Sequence, residues 1–98
     1  MSGMFTSNTV FNQAINTWNV ALVANMGSMF SGCTAFNQPL NSWNTIKVTN
    51  MNNMFQNTTI FNQNISGWTI TAVVTKPPTN FATGSALTNA NKPGGWTT

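Results

Sequence analysis

The fold class predicted by the sequence is an α/β repeat solenoid, with one short parallel strand and one short helix in each coil. Three observations predict it. Trp18, Trp43 and Trp68 stand 25 residues apart, and the same shift carries Phe11 onto Phe36 and Phe61. A fixed period of that length marks a chain whose units cannot bury their apolar faces alone and stack on their neighbours. Val23, Met26, Met29 and Phe30 fall on one face of a helix, and Trp18 and Val20 alternate with polar residues as on a half-buried strand. The domain division is three units, 1–25, 26–50 and 51–75, followed by a degenerate closing unit, 76–98.

Within a unit the helix is clearest at 23–31 and 48–56. Asn25 and Asn50 are placed to cap its start, and Ser7, Gly32 and Asn57 follow its last phenylalanine, where Gly and Asn suit the left-handed residue that ends a helix. The strand follows the Phe-Asn-Gln triplet and covers 15–20, 40–45 and 65–70. Stacked coils would pair these strands in parallel at about 4.8 Å. Pro39, just before the second strand, sits where a missing N–H is tolerated.

Met1, Met4, Phe5, Thr9, Phe11, Asn12, Gln13, Trp18 and Val23 recur unchanged in all three units. Their apolar members predict the core: Phe5, Phe11 and Trp18, then Phe30, Phe36 and Trp43, then Phe55, Phe61 and Trp68. Loss of any one tryptophan is expected to cost about 3–5 kcal/mol. The competing possibility for the tryptophans is an exposed aromatic strip. Asn12, Asn37 and Asn62 are expected to form an internal ladder that satisfies turn amides. From residue 76 the pattern decays through Pro77 and Pro78 to a late Trp96, as suits a closing unit. The first unit starts within the helical pattern and is expected to lack such a cover.

Charge is the unusual feature of the composition. The 98 residues contain no Asp, Glu or His, and the net +3 comes from Lys47, Lys76 and Lys92. Three scattered lysines without an arginine are a poor match to nucleic acid. No apolar run reaches the ~20 residues of a membrane span. Cys33 corresponds to Asn8 and Thr58 in the other units, which predicts an outward thiol with no special role.

The unit MxxMFxxxTxFNQxIxxWxVxxVxN resembles the repeat of the BspA-like surface proteins, relatives of the leucine-rich repeats that include mycoplasma lipoprotein-type repeats of unknown function. Met26, Met29, Phe30, Phe36, Asn37, Gln38, Leu40, Trp43 and Val48 carry the resemblance, with their equivalents in the other units. The ending TNFATGSALTNANKPGGW is similar to the closing segment of such arrays. The resemblance implies a right-handed, leucine-rich-repeat-like solenoid on a cell or virion surface, concerned with adhesion or recognition. Such relatives carry Asp after Phe-Asn-Gln and after the tryptophan. Here those positions are Ala14, Pro39 and Asn64, and Asn19, Asn44 and Thr69, so a calcium or ligand role tied to those acids does not carry over.

General acid–base chemistry needs a group titrating near neutrality, and a catalytic metal needs His, Cys or carboxylate ligands. One thiol and three lysines supply neither, so the expectation is no enzyme, no cofactor and no metal. The leading expectation is a structural or interaction module of an extracellular or particle-surface assembly. Its uncovered first unit would stack end to end on another subunit or on further units of the same chain. The alternative is an adhesin-type module binding glycans or host proteins. Thr9, Thr34 and Thr59 form one column that suggests ice binding more weakly, and Asn57-Thr-Thr and Asn64-Ile-Ser match the glycosylation sequon. With no carboxylate side chain to protonate, the linkage that drives acid unfolding is missing. Urea midpoints measured from about pH 2 to about pH 8 should therefore be nearly constant, and a steep acid transition would contradict that.

Overall fold

Backbone N–H groups in this chain alternate between two kinds of partner, and the alternation replaces both predicted elements. Met4, Thr6 and Asn8 donate to the carbonyls three residues back, on Met1, Gly3 and Phe5, at 3.2, 3.1 and 2.9 Å. Gly3, Phe5 and Ser7, lying between them, donate instead to Gly27, Met29 and Ser31 at 2.9, 3.0 and 2.7 Å. The next layer behaves alike. Met29, Ser31 and Cys33 close turns on Met26, Ser28 and Phe30, while Met26, Ser28, Phe30 and Gly32 reach Asn50, Asn52, Met54 and Gln56. In the third layer Asn53, Phe55 and Asn57 reach Thr79, Phe81 and Thr83 at 2.8, 2.9 and 2.8 Å.

The cause lies in the backbone angles. Gly3 and Ser7, Ser28 and Gly32, Asn53 and Asn57, and Asn80 and Gly84 all have positive φ, between 50° and 75°. Left-handed residues four apart cannot belong to an α-helix, and Gly, Asn and Ser are the types that hold this conformation with least strain. The predicted helices at 23–31 and 48–56 are therefore runs of tight turns. The helical spacing of Val23, Met26, Met29 and Phe30 reflects inward side chains of successive turns.

The predicted strands at 15–20, 40–45 and 65–70 are also turns. Trp18, Trp43 and Trp68 donate to Ile15, Leu40 and Ile65 at 3.0, 3.2 and 3.1 Å, and Val23, Val48 and Val73 close a second turn on Val20, Thr45 and Ile70. Asparagine side chains take the N–H groups that a strand ladder would need. Asn19 Oδ1 accepts from Ala21, Asn44 Oδ1 from Ile46 and Asn64 Oδ1 from Ser66, at 3.0–3.1 Å. Strand pairing is reduced to one parallel bridge between Asn25 and Asn50.

The computed structural model describes residues 1–97, and these corrections hold for that span. Its regular elements are two short 3-10 turns, Asn89–Asn91 and Pro93–Gly95. The chain forms a body of 31 × 27 × 20 Å with almost no helix, almost no strand and no sheet. It is not an α/β solenoid, and its architecture gives no support to the leucine-rich-repeat likeness.

Aromatic rings fill the interior. Phe30 lies 5.8 Å from Phe5 and 5.5 Å from Phe55, and Phe36 lies 5.4 Å from Phe11 and 5.5 Å from Phe61, all as stacked pairs. At the far end the geometry changes. Phe81 meets Phe55 at 83° and Trp96 at 75°, edge to face, and Trp96 is buried together with Pro93 and Lys92. Cys33 is buried, against the expectation of an outward thiol. Its Sγ donates to the Phe5 carbonyl at 2.9 Å, a bond between layers, and burial pushes its pKa up.

Two glycines separate conformation from packing. Gly32 has φ +75° and a Cβ there would stand 3.3 Å from Ser7 Cα, whereas Gly67 has an ordinary φ and open space around it. Gly32→Ala should cost about 1–2 kcal/mol and Gly67→Ala should be neutral or slightly stabilising, as read from urea unfolding.

Candidate functional site

Inward-facing residues differ in their fate according to layer. Phe30, Phe36, Phe55 and Phe61 are fully buried, and Trp43 and Trp68 are nearly so. The two indoles also hydrogen-bond across layers: Trp43 Nε1 donates to the Ile15 carbonyl and Trp68 Nε1 to the Leu40 carbonyl, both at 2.9 Å. A buried indole N–H needs such a partner. Their equivalent in the first layer lacks one. Trp18 is 42% exposed, Met4 is 51% exposed where Met29 and Met54 are sealed, and Phe5 and Phe11 are half-buried. The expectation that Trp18 is a core residue is thereby corrected.

The asparagine ladder sits at the rim of the body and not inside it. Asn12 Oδ1 accepts from the Asn37 N–H at 2.9 Å and from Gln38 Nε2 at 3.2 Å. Asn37 Oδ1 accepts from the Asn62 N–H at 3.1 Å and Gln63 Nε2 at 3.0 Å. Asn62 Oδ1 accepts from the Thr88 N–H and Asn91 Nδ2, both at 3.0 Å, so Asn91 takes the glutamine's place in the last layer. Asn12 and Asn62 are exposed and Asn37 is half-buried.

The first layer therefore presents one face on which every interlayer group lacks its counterpart. Among the described residues the carbonyls of Ser2, Met4 and Thr6, the Asn12 N–H, Gln13 Nε2 and Trp18 Nε1 make no hydrogen bond. These groups surround the apolar strip of Met4, Phe5, Phe11 and Trp18. Such a face can bury apolar area while accepting a row of N–H donors, which is recognition chemistry. The aromatic part follows from residue spacing, but the carbonyl row does not. It depends on turn geometry, for which the clue was Gly, Ser and Asn recurring at residues 3, 28 and 53 and again at 7, 32 and 57.

Lys92 is the one buried charged residue among those described, with Nζ donating to Asn89 Oδ1 at 2.9 Å. Burial pushes its pKa below the ordinary lysine value. The folded chain then holds this proton less readily than the unfolded chain, so its contribution to stability rises with pH through the alkaline range between the two values. No cavity is present among the described residues, and no helix there is long and apolar enough to cross a membrane.

The model of a family described as Mycoplasma protein of unknown function, DUF285, matches residues 1–94. No curated protein and no solved structure matches the chain.

The ladder has a simple test. Asn37→Ala removes the acceptor of two donors and should cost about 1–3 kcal/mol in urea unfolding. Asn37→Asp keeps that oxygen and should recover most of the loss at neutral pH.

Proposed function

The chain belongs to the Mycoplasma protein family of unknown function, DUF285, and from that starting point we propose that it is a non-catalytic structural or interaction module. Its setting in this proposal is an extracellular or particle-surface assembly, on a cell or virion, and its working surface is the first layer. The open strip of Met4, Phe5, Phe11 and Trp18 carries the proposal, because the equivalent residues of the second and third layers are all buried. An exposed apolar strip rimmed by unpaired backbone acceptors favours contact with another polypeptide. The absence of carboxylate and imidazole side chains supports a role without catalysis.

An adhesin-type role with glycans or host proteins is less well supported. It would use aromatic or amide side chains facing outward in register, but Trp43 and Trp68 are buried in the core and the Asn12, Asn37 and Asn62 oxygens are taken by interlayer bonds.

Oxidative footprinting tests the docking face directly. In native assembled material Met4 and Trp18 should oxidise at least about tenfold more slowly than in the isolated chain, with buried Met29 and Met54 slow in both. Equal oxidation of Met4 and Trp18 in the two states would contradict the proposal.

A further inference from the structure

The main backbone ladder has a direction, opposite to that of the indole and asparagine bonds, and it makes the two ends of the body different. Every rung of the main ladder runs from an N–H of one layer to a carbonyl of the layer that follows: 3, 5 and 7 donate to 27, 29 and 31; 28, 30 and 32 to 52, 54 and 56; 53, 55 and 57 to 79, 81 and 83. The first layer is thus left with carbonyls, on Ser2, Met4 and Thr6. By the same rule the last layer is left with N–H groups, on Asn80, Ala82 and Gly84. None of those three N–H groups makes a hydrogen bond among the described residues.

The last layer keeps the conformation that aims this row. Asn80 and Gly84 have φ of +50° and +75°, where Asn53 and Asn57 have +58° and +60°. Turns close on Pro78 and Ala82 through the N–H groups of Phe81 and Ser85, at 3.3 and 3.0 Å. The three unpaired donors therefore stand two residues apart, as the donors of each internal rung do, with Asn80 and Gly84 exposed and Ala82 largely covered. The 3-10 turns at Asn89–Asn91 and Pro93–Gly95, with Trp96, cover the end of the aromatic columns beside this row, and Lys92, the only charge in that cover, is buried.

We propose that the first-layer face docks the last layer of a second copy of this chain, its Ser2, Met4 and Thr6 carbonyls accepting from Asn80, Ala82 and Gly84 of that copy. This rests on the first layer being the docking face and adds the partner. Two first layers would set one carbonyl row against another and offer each other no matching row of backbone N–H donors, their free donors being the scattered Asn12 N–H, Gln13 Nε2 and Trp18 Nε1. A head-to-tail contact leaves one donor end and one acceptor end free at every step, so it grows past the dimer, into a ring where the rotation closes and a filament where it does not. The rungs are neutral on both sides, and no carboxylate side chain exists to select another partner by charge.

The test uses the purified full chain and two end-blocked variants. Met4→Arg puts a long charged side chain at an exposed position of the acceptor end, and Thr83→Arg does so between the Ala82 and Gly84 donors, where Thr83 is exposed. Sedimentation of the wild type should give an average mass that climbs with concentration past twice 10.6 kDa. Each variant alone should remain a monomer, and an equimolar mixture of the two should form a one-to-one dimer. Circular dichroism and the urea midpoint establish that each variant is folded, and Thr79→Arg, at an exposed position beside the Asn80 donor, replaces Thr83→Arg if that variant is not.

A wild type that stops at a dimer, or variants that dimerise alone, would overturn the head-to-tail contact. So would a wild type that stays monomeric at millimolar concentration. That last result would leave the docking face itself standing wherever Met4 and Trp18 are protected in native material, with a partner other than this chain.

Discussion

The structure depends on a division of labour among backbone N–H groups, in which alternate residues bond within their own turn and to the next layer. A helix would spend every N–H inside one segment, and a sheet would spend them between segments. Here Phe30 bonds to Met54 while its neighbour Ser31 bonds back to Ser28. The arrangement requires left-handed residues at fixed places. Gly, Ser and Asn hold those places, which is one physical reason for a composition so rich in asparagine.

With the backbone arranged in this way, side chains need little more than registration. Each layer brings a phenylalanine pair and a tryptophan to the same lateral positions, so rings stack on rings and no residue needs a charge to find its partner. Trp43 and Trp68 tie the indole layer to the preceding backbone, and Asn12, Asn37 and Asn62 tie the rim. The ends follow from the interior. Phe81 and Trp96 turn edge-on and finish the aromatic columns on one side, while Phe5, Phe11 and Trp18 stay open on the other.

What could be read from the sequence was lateral position. The spacing of Phe30 and Phe55, or of Trp43 and Trp68, says which residues share a place in successive units whatever the backbone does between them. Secondary structure was not legible, because Val23, Met26, Met29 and Phe30 satisfy a helical spacing as well in successive tight turns as in a helix. Ser28 and Gly32 held the warning. Cys33 misled because Asn8 and Thr58 at its equivalents are polar, although Thr58 is itself buried with its hydroxyl on Phe55. The aromatic part of the open face was visible in residue spacing, but its carbonyl row was not, since it depends on turn geometry whose one mark is Gly, Ser and Asn at 3, 28 and 53 and at 7, 32 and 57.

Residue-resolved amide hydrogen exchange of the dilute chain is the most direct measurement of the alternating ladder. The account predicts strong protection at Ser28, Phe30, Gly32, Asn53, Phe55 and Asn57, and fast exchange at Asn80, Ala82 and Gly84, which have the same local conformation but no following layer. Uniform protection across 23–31 and 48–56 with the spacing of an α-helix, or equal protection at 80, 82 and 84, would contradict it.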